Sequence, residues 1–176
     1  MAKILEESYK KVKDTIKEGL NGIPTLFDKP LISLQHKYIL RKRFKLPIGH
    51  RLSKHEGLCK NVHGHNIVCE IALVAYDLND NDMVIDFKKV KEIMNPLLNS
   101  LDHCCLLNEN DFDDIKHLAK NNRKYITFNG DPTAEVLTEY IYNYISDKLP
   151  ENIYTHSIRI WENDNSDIEL IIGDNI

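Results

Sequence analysis

His63-Gly64-His65 opens an apolar run in "GLCKNVHGHNIVCEIALV", residues 57–74, four positions beyond a cysteine. Residues at i and i+2 of a strand project to one side, so the two imidazoles would share a face that continues as Ile67, Cys69, Ile71 and Leu73. A second alternation precedes it. Tyr38, Leu40, Phe44, Leu46 and Ile48 lead to His50, while Arg41, Arg43 and Lys45 take the opposite side. If the two strands pair as an antiparallel hairpin, the end of the first lies beside the start of the second, which gathers His50, His63 and His65. Three neutral imidazoles fill three positions of a tetrahedral zinc ion and leave the fourth for water or substrate. A lone histidine on an apolar face is more often a hydrogen-bonded core residue; three converging at one sheet end favour a metal centre.

Other reactive groups cluster by sequence near these strands. Cys59 sits in the loop before the second strand, where a thiol near a bound cation could act as base or nucleophile, or could close the site as a fourth zinc ligand. Asp102-His103 follows a helix and reads either as a proton-transfer pair or as a helix C-terminal cap. Glu162 ends an apolar stripe formed with Ile158 and Ile160, and a carboxylate there needs a partner, such as the donor edge of a guanidine-like heterocycle. Cys69, Cys104 and Cys105 read as packing, and His36, His55, His117 and His156 as surface or structural residues.

The elements that must position these groups follow from periodicity. Leu5, Tyr9, Val12, Ile16 and Leu20 predict an N-terminal amphipathic helix ended by Asn21-Gly22, an extension over residues 1–30 attached to one domain over 31–176. Pro47 places the end of the first strand at an edge or bulge. Asp86 caps a helix with Phe87, Val90, Ile93, Met94, Leu97, Leu98 and Leu101 on one side, in which Pro96 predicts a kink or restart. The polar stretch from Asn108 to Asp131 reads as an irregular excursion with room for one helical turn. Thr133 then opens a second helix, and two short strands, about Ser157–Trp161 and Ile168–Ile172, close the chain. The expected architecture is α+β: an antiparallel four-stranded sheet with two helices packed on one face, plus the extra N-terminal helix.

Composition excludes several classes. With 176 residues, 42% of them hydrophobic and 28% charged, the chain suits one domain with a real core. A net charge of −4 gives no reason to expect nucleic acid as a partner, and no run is apolar enough for a membrane span. The N-terminal stretch lacks the apolar core of a targeting signal, and four cysteines without secretory context suit a cytoplasmic location. Between Lys37 and Lys60, eight Lys and Arg residues stand against Glu56 alone, which suits either an anionic small molecule or a solvated strand face.

Taken together, "GHRL", "C-x3-HGHN", "DMVIDFKKVK", "LDHCCLLN", "DPTAE" and "IRIWEN" resemble the 6-pyruvoyltetrahydropterin and 6-carboxytetrahydropterin synthase family, over residues 38 to about 172. The resemblance implies the tunnelling fold (T-fold), a trimer-based homo-hexamer with active sites between subunits, and zinc held by His50, His63 and His65. It implies further that Cys59 is the base, that Asp102 and His103 assist proton transfer, that Glu162 anchors the pterin, and that the basic segment meets the triphosphate of 7,8-dihydroneopterin triphosphate. The spacing from Cys59 to His63 is similar to that of bacterial 6-carboxytetrahydropterin synthases of queuosine biosynthesis, which release acetaldehyde and triphosphate. Alternatives are the 6-pyruvoyl product, a Glu56-dependent cleavage to 6-hydroxymethyldihydropterin, and a non-catalytic pterin-binding module.

Overall fold

The alternation that begins at Tyr38 builds strand β1 (Tyr38–His50), which pairs antiparallel with β2 (His63–Ala75) in one unbroken register from Tyr38 opposite Ala75 to His50 opposite His63. The structure, a computed structural model, describes residues 36–173, so the helix expected near the N-terminus lies outside the described residues. Cross-strand partners share a face. Phe44, Leu46, Ile48 and His50 therefore stand beside Cys69, Ile67, His65 and His63 respectively, as the alternation predicts.

Helix α1 (Phe87–Leu101) starts where the Asp86 carboxylate accepts a hydrogen bond from the Lys88 amide at 2.6 Å, and it buries Val90, Met94, Leu97 and Leu101 against the sheet. It continues through Pro96 rather than restarting there. Pro96 lies on the exposed side, where the carbonyl left without a helical donor faces water, while the buried contacts on either side hold the helix in place. Further along the chain, helix α3 (Ala134–Ser146) is capped by Thr133 and buries Leu137, Ile141 and Ile145 over β5 (Tyr154–Asn163) and β6 (Ser166–Ile171). The shared core includes the fully enclosed Ile67, Ile71, Met94, Ile141, Ile158 and Ile160.

The segment from Asn108 to Asp131, expected to be irregular, instead holds helix α2 (Phe112–Lys120) and strand β4 (Tyr125–Phe128), and a further unexpected strand, β3 (Cys104–Asn108), precedes it. The sheet thus has six strands in the order β4-β3-β1-β2-β5-β6 among the described residues, with β1, β2, β5 and β6 antiparallel and β3 and β4 added in parallel beyond β1. The reason is physical. Cys104, Leu106, Leu107 and Asn108 are all buried, so β3 shows no alternation; α2 repeats Phe112, Ile115 and Leu118 at helical spacing, but over only nine residues in a polar stretch, and it buries none of them. Pro47 sits one residue before β3 joins β1 at Ile48, on a stretch of β1 that is still an edge on that side, and it causes no bulge in the pairing with β2.

The sheet face away from α1 and α3 is polar. Arg43 donates to Glu70 at 2.7 Å and lies over the Trp161 ring, as does Arg159, which pairs with Asp167 at 2.8 Å. Arg41 and Arg43 therefore belong to an ion-paired strand face and not to the side that carries the histidines. Among the described residues, no helix is long and apolar enough to cross a membrane.

Candidate active site

His50 ends β1 opposite His63, which begins β2, and Ile48 faces His65, so the register places all three imidazoles on the core face at one end of the hairpin. Their ring centroids lie 4.5, 5.1 and 5.0 Å apart. Gly64, between the two β2 histidines, has no side chain for a specific reason: a Cβ there would stand 3.1 Å from the backbone oxygen of Ile48. Glycine lets the two strands close at the point where the rings meet.

Backbone carbonyls set the tautomers. His50 Nδ1 lies 3.0 Å from the Pro132 oxygen, and His63 Nδ1 lies 2.8 Å from the Asn61 oxygen. A carbonyl only accepts, so both Nδ1 atoms carry the proton and both Nε2 atoms of the neutral rings present lone pairs. Those Nε2 atoms are 3.1 Å apart, and one ligand atom from each of the three rings falls within 4.8 Å of the others. Facing lone pairs repel unless a proton or cation lies between them. Tetrahedral zinc–nitrogen bonds of about 2.0–2.1 Å separate nitrogens by roughly 3.3 Å, so the donor set fits a metal ion. Burial pushes the His50 pKa below its usual value, a shift that the Pro132 carbonyl and Glu162 oppose and that His63 and His65 reinforce; the neutral ring is the form that binds metal.

Cys59 lies in a short 3₁₀ turn (Leu58–Lys60) within the loop of residues 51–62, half-buried, with its carbonyl accepting from the Leu52 amide at 2.9 Å. Its thiol is not among the ligand atoms that converge at the histidines. Cys69 and Cys104 are buried, which pushes their thiols up to about 12 and about 11, as befits packing groups.

Asp102 and His103 do form a pair, with His103 Nδ1 3.0 Å from Asp102 Oδ1 and the side chains 79% and 50% exposed for the histidine and the aspartate. The turn is held by Lys124, whose ammonium donates to the Asn99 and Asp102 carbonyls at 2.6 Å each and so caps α1 in place of His103. The His103 amide bonds the Pro47 carbonyl, three residues before His50, which separates the pair from the histidine cluster by about 10 Å along β1. Within one chain, the structure does not bring Asp102 and His103 to the three imidazoles.

Glu162 stands at the end of β5 on the core face and borders a cleft of about 320 Å³ that is also lined by Leu52, Thr133, Ala134, Glu135, Asp167 and Ile168. Its charge reaches His50, which links the cleft to the imidazole cluster. Sequence reasoning treated Thr133 and Glu135 only as helix-start residues, yet both also face this cleft. It also missed the Asn61 and Pro132 carbonyls, which no side-chain pattern can reveal. The arrangement can hold a cation, accept hydrogen bonds from a planar ligand at Glu162, and offer a thiol from the adjoining loop.

Residues 39–170 match the family described as 6-pyruvoyl tetrahydropterin synthase. Among similar proteins, the 6-carboxy-5,6,7,8-tetrahydropterin synthase of Rickettsia conorii is 29% identical over 133 residues, covering 73% of this chain and 96% of that protein. The enzyme of the same name from Haemophilus influenzae is 31% identical over 131 residues, covering 70% of this chain and 91% of its own. The 6-pyruvoyl tetrahydropterin synthase structure from Caenorhabditis elegans superimposes with a TM-score of 0.58 at 20% identity, over 79% of this chain and 98% of that one. With the hairpin and both long helices inside the matched span, the chain belongs to the 6-pyruvoyl tetrahydropterin synthase family and has its α+β tunnelling fold.

Proposed function

We propose that the protein is a zinc-dependent lyase that converts 7,8-dihydroneopterin triphosphate to 6-carboxy-5,6,7,8-tetrahydropterin, releasing acetaldehyde and triphosphate, as in queuosine biosynthesis. The observation that carries this reading is the set of three imidazoles with opposed Nε2 lone pairs, next to a cleft that ends in a carboxylate, in a chain similar to proteins of that name. His50, His63 and His65 would hold the metal. Bound there, zinc supplies Lewis acidity to the oxygens of the substrate side chain.

The remaining work falls to this chain's own groups. Glu162 would accept two hydrogen bonds from the pterin amino and ring N–H groups and so fix the ring in the cleft. The Cys59 thiolate would take the otherwise weakly acidic C–H proton of the side chain, since the loop carrying it adjoins the histidines. Asp102 and His103 are hydrogen-bonded to each other, exposed, and remote from their own histidines, a disposition suited to serving a neighbouring copy. A trimer-based homo-hexamer would join such sites. Lys54 and Lys60, on the Cys59 loop, are better placed for the triphosphate than Arg41 and Arg43 on the opposite sheet face or Arg51, which is paired with Asp114. Residues 31–176 form the proposed catalytic domain and 1–30 an extension to it.

Incubation of the zinc-loaded protein with 7,8-dihydroneopterin triphosphate, followed by mass spectrometry, tests the reading. Equimolar 6-carboxytetrahydropterin and acetaldehyde are expected. Exclusive formation of 6-pyruvoyltetrahydropterin, or of 6-hydroxymethyldihydropterin with Glu56 required, would assign a sister activity.

A further inference from the structure

The loop of residues 51–62 folds largely on itself. Its backbone bonds run from the Leu52 amide to the Cys59 carbonyl, from the His55 amide to Leu52, from the Lys60 amide to Gly57 and from the Asn61 amide to Leu58. A self-contained loop of this kind has little to fix its angle to the body of the protein unless a few groups tether it. Asp131 is such a tether. Its Oδ1 accepts from the Ser53 hydroxyl at 2.7 Å and from the Asn108 amide nitrogen at 2.8 Å, and its Oδ2 accepts from the Lys54 backbone amide at 2.8 Å.

The three partners come from two different parts of the molecule. Ser53 and Lys54 open the Cys59 loop. Asn108 ends β3, is 1% exposed, and is itself braced by Asn110. The residue after Asp131 is Pro132, whose carbonyl orients His50. One two-residue stretch therefore holds both the imidazole whose Nε2 faces the cluster and the stem of the loop that carries the thiol. A carboxylate accepting three such bonds is a rigid joint, because a charged acceptor strengthens each of them. Proline next to it fixes the backbone between the two grips.

We propose that Asp131 is the positioning residue that sets Cys59 against the three-histidine centre, so that the thiol meets a substrate held there. The inference rests on the reading of Cys59 as the base. Reacting groups tolerate little displacement, and a misplacement of about 1 Å can cost roughly a hundredfold in rate. Loosening Asp131 should therefore lower kcat while leaving the cleft and the metal donors in place. Asn is a graded substitute: it can still accept from Ser53 and Asn108, but then turns an N–H₂ toward the Lys54 amide.

The test compares D131A, D131N and S53A in the zinc-loaded and zinc-free full chain by amide hydrogen exchange, metal content and steady-state kinetics. In D131A the amides of residues 52–61 are expected to exchange about tenfold faster or more, with β2 and β3 unchanged and zinc content unchanged. Its kcat should fall roughly 10- to 100-fold with KM within about threefold, and D131N and S53A should fall between it and the parent. Loop exchange equal to that of the parent overturns the proposal. So does exchange that rises uniformly across the sheet in all three variants, which assigns Asp131 to general stability, and so does zinc loss with the loop unmoved. If the parent protein does not turn over dihydroneopterin triphosphate, the functional reading fails, while exchange and metal content still decide whether Asp131 tethers the loop.

Discussion

Replacing Gly64 with alanine tests the hairpin geometry most directly. The added methyl would stand 3.1 Å from the Ile48 carbonyl oxygen, a few tenths of an ångström inside ordinary contact. That oxygen belongs to a strand paired with β2 on one side and β3 on the other, so relief requires a shift of backbone and not of a side chain. Overpacking of this kind costs about 1–3 kcal/mol. For a domain of this size that lowers Tm by about 3–10 °C. The same shift moves His63 and His65, which flank the glycine, relative to His50, whose Nε2 lies only 3.1 Å from that of His63. Zinc affinity should then fall about 10- to 100-fold, as when the supports of metal ligands are disturbed. Thermal unfolding in chelator isolates the packing cost, and a competition titration gives the zinc Kd. Gly57→Ala is the control, because the atom its methyl would meet, at 2.9 Å, is on the exposed His55 ring, which can swing aside for the loss of one exposed hydrogen bond from the Gly57 amide. An apo Tm for Gly64→Ala within 1 °C of the parent, together with an unchanged zinc Kd, would refute the reasoning.

Cys59→Ala should retain about one zinc per subunit and lose turnover, measured by metal analysis and product formation; loss of the metal would make the thiol a ligand and the centre a closed one. Glu162→Gln should weaken pterin binding by about 2 kcal/mol, roughly 30-fold by calorimetry, with the zinc retained, and an unchanged affinity would leave Glu162 a structural role. Burial holds the His50 pKa below its usual 6.5, so the unfolded chain takes up this proton first as the pH falls. Without metal, the stability due to this residue should be complete above about pH 6.5 and decline from there through the lower folded-state pKa. Denaturant titrations from pH 8 to 5 in chelator, with His50→Gln as reference, should show a steeper decline in the parent; parallel curves would contradict the assignment.

The parts of the molecule that could be read in advance are those whose periodicity carries a side. Because the histidine ends of β1 and β2 alternate, parity alone gathered His50, His63 and His65; Glu162 lies at a register irregularity between Trp161 and Asn163, yet borders the cleft together with Ile160. The caps at Asp86 and Thr133 were equally legible, since their side chains bond the amides that the sequence motif requires. What stayed hidden was buried on both faces or on neither. Leu106 and Leu107 are both fully enclosed, so β3 has no pattern to detect, and α2 spaces Phe112, Ile115 and Leu118 helically over only nine residues and buries none of them. The grip of Asp131 was hidden for another reason. "NGDP" signals a turn, but which loop the turn clasps depends on the spatial adjacency of Ser53 and Asn108, far apart in the chain.

The unbroken register of β1 and β2 also governs how this protein can change over generations. Inserting or deleting one residue in either strand would turn every side chain beyond that point to the other face, parting His50 from His63 and His65. Residues 55–60 between the strands carry no such constraint, because the pairing that aligns the imidazoles and the Asn61 carbonyl that orients His63 lie outside them. Loop length can therefore vary by single residues at modest entropic cost, moving the thiol by about 3 Å each time while the metal donors stay where they are. A hairpin of this design separates the fixed seat of three imidazoles from an adjustable reach of the thiol. Such a scaffold can yield new products by lengthening or shortening one loop.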